Sequence, residues 1–462
     1  FVQTARVIDA LYSTNQVLGV HYQSDSPSVA LWAPTAQSVE LVLYNSAGEE
    51  QSRAQASSIT DGVYYFIGEP NWDKKYYQFA MSIYHPLSDN VESYLVTDPY
   101  SISLSANSEM SQFLDLANDD SIKPDNWDSL TKTLPLAKDI TLYEGHVRDF
   151  SRSDITVDTS DRGKYNAFTY NGVNGAPLSN GMAHLKGLSD VGLSHFHLLP
   201  IFDIATVNED TLARIELDSL YSELCAKSSA SAVQNYCASS GSQTIEQVLT
   251  ELADADLATS DVQAIISEMV NSDGFNWGYD PLHFNAPEGS YASNSQGETR
   301  VKEFRAMVKA LDEINLKLVM DVVYNHTSAS GLWSNSVLDR VVPGYYQRLN
   351  PVSGAVENST CCDNTATEHL MMEKLMIDTL VNWAKYYKVD SFRFDLMGHI
   401  PKSSMVKAQQ ALAALTLAED GVDGENIYLY GEGWDFGEVS GGQRFEQATQ
   451  FNMAGTGIGT FN

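Results

Sequence analysis

The sequence predicts an α/β protein in which an all-β sandwich module precedes part of a (β/α)₈ (TIM) barrel. Three observations support this fold class. Short β-rich runs fill residues 17–105, strand-like and helix-like segments alternate from about residue 139, and titratable residues follow the later strand-like runs. In such barrels the strands end at the face that carries the active site, so we expect a site there.

The sandwich is predicted from strand spacing. Residues 29–32 and 39–44 are β-rich and are separated by a turn-like link, residues 33–38. Residues 63–66 and 76–81 continue the pattern. Short strands at this spacing are typical of a sandwich, which we place at residues 1–105.

The next segment, residues 106–138, is rich in Asn, Asp, Ser and Pro and predicts a linker that passes over the surface. Residues 139–462 are predicted to form the N-terminal part of the barrel. Residues 204–272 interrupt the strand–helix alternation with Ala, Ser, Glu and Leu. We expect a helical insertion there, of the kind that forms lids or substrate-facing flaps.

Strands and helices of the barrel follow from periodicity. Residues 183–191 and 300–315 have apolar residues at helical spacing, and residues 368–388 predict a further helix. Buried strands are predicted at residues 316–323 and 389–395, among others. This βαβ repetition predicts parallel strands.

The composition excludes several partner classes. The 462 residues carry 28 basic and 60 acidic side chains, a formal charge of −32. Such a field repels phosphate backbones and anionic lipids, so neither nucleic acid nor a membrane surface is expected as a partner. The sequence contains no run of about 18 apolar residues, so no membrane span is predicted. The chain opens at Phe1, which predicts a processed or trimmed product.

The four cysteines lie in two pairs. Cys225 and Cys237 lie in one polar stretch, where a local disulfide would close a short loop. Cys361 and Cys362 are adjacent, and the sequence leaves open whether they form a vicinal bridge or remain reduced. No cysteine or histidine set has zinc spacing, and no metal ligand is predicted.

Three strand ends carry candidate chemistry: residues 321–326 (Asp-Val-Val-Tyr-Asn-His), 392–395 (Phe-Arg-Phe-Asp) and 430–435 (Tyr-Gly-Glu-Gly-Trp-Asp). Residues 393 and 395 are two apart on a strand, so their side chains share a face. A guanidinium beside a carboxyl group favours its ionised form, as a nucleophile requires.

Glu432 follows an apolar strand and lies next to Trp434. A less polar setting close to an ionised Asp395 favours the protonated form, which suits a general acid. A nucleophile and an acid of this kind are the pair that glycoside cleavage requires, and a carboxyl separation of about 5–5.5 Å predicts retention of configuration. Taken singly, these residues also have structural interpretations: an ion pair for Arg393, a buried acceptor for Asp321 and a core side chain for His326.

Several motifs resemble those of the α-amylase family of glycoside hydrolases. The three strand-end tracts are similar to the first three of that family's four motif regions. More specifically, the chain resembles pullulanase-type debranching enzymes, and the stretch at residues 31–36 resembles their starch-binding-type sandwich module. The motifs that carry the narrower resemblance are residues 196–203, 275–281 (Phe-Asn-Trp-Gly-Tyr-Asp-Pro), 398–402 and 431–437.

The resemblance implies roles for individual residues. Asp395 is implied as the nucleophile and Glu432 as the acid/base. Substrate-binding roles are implied for Arg393, His326, Tyr279, Trp434 and Asp280. The chemistry needs no cofactor, and the resemblance leaves a structural calcium ion open without assigning it ligands.

The implied function is retaining endo-hydrolysis of α-1,6-glucosidic bonds in pullulan, amylopectin and limit dextrins, by a secreted or cell-surface enzyme. Three alternatives remain at this point. They are an α-1,4-acting amylase or neopullulanase, a non-catalytic α-glucan-binding protein, and a metallohydrolase that uses Asp321, His326, Asp395 and Glu432.

One departure from the resemblance concerns the fourth motif region, a His-Asp pair that supplies a further catalytic Asp. The sequence up to Asn462 contains no such segment after the third region. We therefore expect that the remainder of a longer polypeptide supplies this Asp, and that the 462 residues alone are inactive.

Overall fold

A computed structural model describes residues 4–270 and 272–461. Residues 1–3, 271 and 462, which the predicted segments include, lie outside the described residues. The chain divides into two compact units, one made of Phe1–Ala205 with Gly278–Asn462 and the other of Thr206–Trp277.

The first unit begins with a short helix and a two-sheet sandwich. The elements are α1 (Ala5–Tyr12), β1 (Gly19–Gln23), β2 (Ser26–Trp32), β3 (Ala36–Tyr44), β4 (Glu50–Gln55), β5 (Ser58–Thr60), β6 (Val63–Ile67), β7 (Tyr76–His85), β8 (Asn90–Val96) and β9 (Ser111–Gln112). The strands β1, β2, β6 and β5 form one antiparallel sheet in that order, and β4, β3, β7 and β8 form the other, with β9 paired to β7.

The core of the sandwich lies between these sheets. On β7, buried residues recur at every second position over most of the strand, as expected for a strand with one face on a core. Phe66 of β6 and Phe79 of β7 come from different sheets, and their ring centroids lie 5.9 Å apart. The sequence prediction of an all-β module before the barrel is therefore confirmed.

The segment at residues 106–138 is packed more deeply than the sequence predicts. Ile122 and Trp127 are buried, so the expectation of a linker that merely crosses the surface is wrong for these side chains. Arg305 donates from Nη2 to the carbonyl of Leu116 at 2.7 Å, and its guanidinium lies 5.6 Å from the ring of Trp127. Side chains from distant parts of the sequence bind the backbone of this segment. The polar composition of the segment does not reveal these contacts.

The barrel region begins after this segment. Its first elements are β10 (Leu142–Gly145), α2 (Val147–Ser151), α3 (Asn180–Asp190), β11 (His195–Leu198) and β12 (Phe202–Ile204). Ser179 caps α3, because its side chain accepts a hydrogen bond from the backbone amide of Met182 at 3.2 Å.

The second unit is helical. It contains α4 (Tyr221–Lys227), α5 (Ser231–Ser240), α6 (Ile245–Ala255) and α7 (Asp261–Met269). Each of the four helices contributes to a common buried cluster, through Tyr221, Val233, Ile245 and Ile265 in that order. A disulfide joins Cys225 of α4 to Cys237 of α5.

The remaining elements of the first unit include the other four strands of a parallel sheet. They are β13 (Pro281–Pro287), α8 (Thr299–Glu313), β14 (Lys317–Val322), β15 (His326–Thr327), α9 (Val337–Val341), β16 (Asp363–Asn364), α10 (Leu370–Tyr387), β17 (Ser391–Phe394), α11 (Lys402–Ala413), β18 (Tyr428–Gly431) and β19 (Gly459–Thr460). In the described ranges, no helix combines the length and the apolar composition that crossing a bilayer requires.

Six parallel strands, in the order β10, β11, β14, β17, β18 and β19, alternate with helices as in part of a (β/α)₈ barrel. Strand β14 is buried along almost its whole length, as expected for a parallel strand that is covered on both faces. The parallel register sets Asp321 beside Arg393 and Arg393 beside Tyr430. The strand ends that carry the predicted chemistry therefore lie next to one another.

A buried ion pair fixes residues 106–138 against this sheet. Lys132 donates from Nζ to Asp390 Oδ2 at 2.8 Å, and both side chains are 4% exposed.

We expect Lys132→Ala to lower the free energy of unfolding by about 3–5 kcal/mol, because it leaves a carboxylate buried without its partner. Urea denaturation measures this loss. The exposed Lys138→Ala is the control and should stay within about 0.5 kcal/mol; equal losses in both variants would contradict the assignment.

Candidate active site

Arg393 is the centre of the site. Its Nη1 lies 2.9 and 3.0 Å from the two carboxylate oxygens of Asp321 and 3.4 Å from Asp395 Oδ1. Its Nη2 lies 2.8 Å from Glu432 Oε1. One guanidinium thus holds carboxyl groups from three consecutive strands of the sheet, and the two implied catalytic groups face the same small space.

Asp395 follows the end of β17 and is almost buried. Asn325 donates from Nδ2 to both Asp395 Oδ2 and the Asp395 carbonyl, each at 2.8 Å. Burial raises the pKa of Asp395 to about 6, although the Asn325 hydrogen bond and Arg393 act in the opposite direction. Arg393 therefore lowers this pKa as the sequence predicts, but desolvation outweighs it.

Glu432 follows the end of β18, and its surroundings differ from the expected apolar setting. Besides Arg393 at Oε1, it accepts a hydrogen bond at Oε2 from the backbone amide of Leu396 at 3.2 Å. Leu396 has a φ of 40°, a left-handed conformation that a branched side chain rarely adopts. Backbone strain of this kind is concentrated at functional sites. Here it accompanies an amide that points at Glu432.

His326 and Tyr279 form a connected pair beside Arg393. Nε2 of His326 lies 2.8 Å from the carbonyl of Tyr279, and its Nδ1 contacts Asn325 Oδ1. Burial lowers the pKa of His326, so the ring is neutral at neutral pH and donates from one nitrogen only. Tyr279 donates its hydroxyl to Asp321 Oδ2 at 2.8 Å, and its ring lies 5.8 Å from the Arg393 guanidinium.

Trp434 and Asp280, the two other residues with implied substrate-binding roles, have different surroundings. Trp434 follows β18 two residues after Glu432 and is 38% exposed, as a ring available to a ligand must be. Asp280 is half-buried, and its backbone carbonyl accepts a hydrogen bond from Ala205 at 3.0 Å. Burial raises the pKa of Tyr291, and the charges of Glu288 and then Asp280 raise it further. Asp280 therefore lies near the Tyr291 ring.

Gly433 separates Glu432 from Trp434 and lies close to a neighbouring segment of the backbone. A Cβ atom at this position would lie 2.9 Å from the carbonyl carbon of Thr449 and would also collide with the Gln450 amide. The backbone of the neighbouring segment therefore approaches too closely for any side chain here. The same packing fixes the direction in which Glu432 and Trp434 leave the strand.

The metallohydrolase alternative does not fit this arrangement. A positively charged guanidinium lies between Asp321, Asp395 and Glu432, where the hypothesis would require a cation. The two ring nitrogens of His326 face protein oxygens. These four residues accordingly do not present a common set of metal ligands.

Sequence reasoning missed the roles of Asn325 and Leu396. Asn325 lies in the quoted strand-end tract, so its position was visible, but its contact with Asp395 joins residues 70 apart in the chain. Leu396 gave no signal, because leucine seldom adopts a left-handed backbone. Asp321 is a buried acceptor, as its structural interpretation states, and the group that it binds is Arg393.

Comparisons with known proteins agree with the fold. Residues 17–101 match the family carbohydrate-binding module 48 (isoamylase N-terminal domain), and residues 204–275 match the pullulanase Ins domain. A pullulanase of Klebsiella pneumoniae is 44% identical over 100% of this chain, and the chloroplastic pullulanase 1 of Arabidopsis thaliana is 42% identical over 100% of it. Over its whole length, the chain is homologous to pullulanases.

Solved structures of pullulanases extend this likeness to three dimensions. Pullulanase PulA from Klebsiella oxytoca is 42% identical, with a TM-score of 0.91, and the match covers 100% of this chain and 43% of that one. A maltotriose complex of PulA from Klebsiella pneumoniae gives the same identity and TM-score and covers 49% of that chain. The chain spans 42% of the length of the Klebsiella pneumoniae relative and 44% of the Arabidopsis relative.

The raised pKa of Asp395 has a consequence for stability. The folded protein keeps this proton up to about pH 6, whereas the ordinary value is 3.8, so ionisation costs stability as the pH rises from about 4 to above 6. We expect Asp395→Asn to raise the free energy of unfolding by about 2–3 kcal/mol more at pH 7 than at pH 4. Urea denaturation at both pH values measures this difference.

The control for this experiment is Asp120→Asn, whose side chain is 91% exposed. It removes one carboxylate without changing a buried one, and the two pH values should give the same effect. A pH-independent effect of Asp395→Asn would show that this carboxyl group is solvated in the folded state.

Proposed function

We propose that the polypeptide containing this chain hydrolyses α-1,6-glucosidic bonds in pullulan, amylopectin and limit dextrins, with retention of configuration. The proposal is carried by one observation. Asp395 and Glu432 lie at the ends of adjacent strands, and both carboxyl groups contact the guanidinium of Arg393. Two carboxyl groups on either side of a scissile bond are what retaining glycoside hydrolysis requires.

Asp395 is the nucleophile in this proposal. With a pKa of about 6 it is mostly ionised at neutral pH. Its carboxylate attacks the anomeric carbon and forms a glycosyl ester, while Glu432 gives a proton to the departing sugar oxygen. Glu432 then takes a proton from water, whose oxygen attacks the anomeric carbon. The bond from that carbon to Asp395 breaks, which releases the sugar and regenerates the Asp395 carboxylate.

Glu432 must lose its contact with Arg393 before it acts as an acid. In the structure both of its oxygens face donors, a guanidinium nitrogen at 2.8 Å and a backbone amide at 3.2 Å. Entry of a sugar between the two carboxyl groups would separate Glu432 from Arg393. Arg393 would then remain on Asp321 and Asp395.

The choice of substrate rests on the relatives and on charge. Pullulanases match the full chain, and PulA was crystallised with maltotriose, a short neutral oligosaccharide. A neutral glucan is unaffected by the net charge of −32. The tracts around Tyr279 and Gly433, which resemble debranching enzymes, favour α-1,6 over α-1,4 cleavage.

Three further points belong to the proposal. The described steps use carboxyl groups and water, so no cofactor is proposed for the chemistry, and a structural calcium ion is left open. The remainder of the polypeptide would contribute the further catalytic Asp. A polymeric substrate outside the cell fits a secreted or cell-surface enzyme.

The decisive measurement is the release of reducing ends from pullulan by the full polypeptide. We expect Asp395→Asn to lower kcat by roughly 10⁴-fold or more and Glu432→Gln by roughly 10²–10⁴-fold. Asp120→Asn is the matched control and should retain full activity. Release from linear amylose but not from pullulan would favour an α-1,4-acting enzyme, and binding without release would favour a glucan-binding protein.

Asn325 tunes the nucleophile in this mechanism. Its amide stabilises the ionised form of Asp395, so Asn325→Ala should raise the pKa of Asp395 further. The nucleophile must be ionised, and the acidic limb of the profile of kcat/KM against pH should therefore move to higher pH. Pullulan hydrolysis between pH 4 and pH 8 tests this shift. A lower rate with an unmoved acidic limb would mean that Asn325 only positions neighbouring groups.

A further inference from the structure

Cys361 and Cys362 form a disulfide bond between adjacent residues, next to the candidate active site. Cys361 Sγ lies 3.6 Å from His326 Nε2. Cys361 is exposed and Cys362 is half-buried, so solvent reaches the disulfide, whereas His326 is buried. The two sulfur atoms and one ring nitrogen of His326 all lie within 4.8 Å of one another. The mechanism proposed above uses neither cysteine, so the role of this sulfur pair is open.

Backbone pairing holds the cysteines next to the strand that carries His326. Strands β15 and β16 are antiparallel, with His326 opposite Asn364, and Cys362 directly precedes β16. Asn364 accepts a hydrogen bond at Oδ1 from Thr360 Oγ1 at 2.6 Å and donates from Nδ2 to Glu438 Oε1 at 2.9 Å. The chain on both sides of the cysteines is thus held by contacts other than the disulfide. Reduction would therefore leave both sulfur atoms close to the imidazole ring.

The distance between sulfur and nitrogen fits a tetrahedral metal site. In such a site, Zn–S bonds of about 2.3 Å and Zn–N bonds of about 2.0 Å place the two ligand atoms roughly 3.5 Å apart. The observed separation of Cys361 Sγ and His326 Nε2 is 3.6 Å. After reduction, rotation about the Cα–Cβ bond of Cys362 can move its sulfur away from the first. Thiolate and imidazole groups are ligands that Zn²⁺ prefers.

The hydrogen bonding of His326 leaves a lone pair of its ring without a donor. Its Nδ1 contacts Asn325 Oδ1, and its Nε2 lies 2.8 Å from the carbonyl of Tyr279, so both nitrogens face acceptors. The orientation of the Asn325 amide is fixed, because its Nδ2 donates to Asp395. A neutral imidazole carries only one N–H. With that proton on Nδ1, the unused lone pair lies on Nε2, the nitrogen that Cys361 approaches. Histidines that bind metals commonly donate their other N–H to a protein oxygen in this way.

We propose that reduction of the Cys361–Cys362 disulfide creates a binding site for Zn²⁺ or a similar thiophilic cation, with both thiolates and His326 Nε2 as ligands. A phosphine balances the reduction: it is oxidised to its oxide, the S–S bond breaks, and one water supplies the oxygen atom and the two thiol protons. Binding of the cation then displaces these protons. Sequence spacing does not indicate this set of ligands, because His326 and Cys361 are 35 residues apart.

Occupation of the site would interfere with catalysis, an expectation that rests on the proposed function. His326 has an implied role in substrate binding, and a cation on Nε2 would occupy the space in front of its ring. A sugar hydroxyl group could then not reach that nitrogen. We therefore expect Zn²⁺ to inhibit pullulan hydrolysis at least about fivefold more strongly after reduction than before it.

The direct test measures cation binding by the full polypeptide, with Cd²⁺ as the probe, because cadmium–thiolate bonds absorb in the ultraviolet. We expect reduction with a phosphine to create about one such Cd²⁺ site per chain. The double variant Cys361→Ser, Cys362→Ser should lose this site. His326→Ala should weaken Cd²⁺ binding roughly tenfold or more, because it removes one ligand. Circular dichroism of each reduced variant checks that it is folded.

The matched control is the double variant Cys225→Ser, Cys237→Ser, which removes the other disulfide and should keep the Cd²⁺ site. An equal cadmium–thiolate absorption in the oxidised protein, or in the double variant at Cys361 and Cys362, would overturn the inference. Unchanged Cd²⁺ affinity in His326→Ala would also overturn the three-ligand site. A polypeptide that binds Cd²⁺ as expected but hydrolyses no pullulan in either redox state would keep the metal site and contradict only the proposed function.

Discussion

The arrangement of the candidate site depends on the guanidinium of Arg393. It is the shared partner of Asp321, Asp395 and Glu432, which come from three consecutive strands of the parallel sheet. Three carboxyl groups this close together would otherwise repel one another or take up protons. Because Asp321 is fully buried and binds the same nitrogen through both oxygens, it fixes the guanidinium, and the guanidinium in turn positions the two groups proposed to react.

The backbone around these groups is specialised as well. Leu396 adopts a left-handed conformation, and its amide reaches Glu432, while Gly433 leaves no room for a side chain against the adjacent segment. Both features lie within one residue of a proposed catalytic carboxyl group. Together with the raised pKa of Asp395, they indicate that the site is maintained at a cost to local stability, as functional sites often are.

Sequence reasoning predicted the order of modules, the parallel barrel strands and the tracts that meet at the strand ends. The periodicity of apolar residues and the positions of the polar tracts after the strands were sufficient for these predictions, because parallel strands all end at one face of the barrel. The pairing of Asn325 with Asp395 and the donors around Glu432 depend on which atoms meet across strands, and no local pattern encodes that. Burial of the polar segment at residues 106–138 escaped prediction for a related reason: its partners, such as Arg305, are distant in the chain.

That segment also determines how the sandwich is attached to the barrel. Backbone carbonyls along it are bound by Arg305, and Lys132 is inserted beside the sheet at Asp390. The connection between the two modules is thus held against the barrel at two places, by Arg305 and by Lys132. The position of the sandwich relative to the strand ends that carry Asp395 and Glu432 is therefore set by these buried contacts.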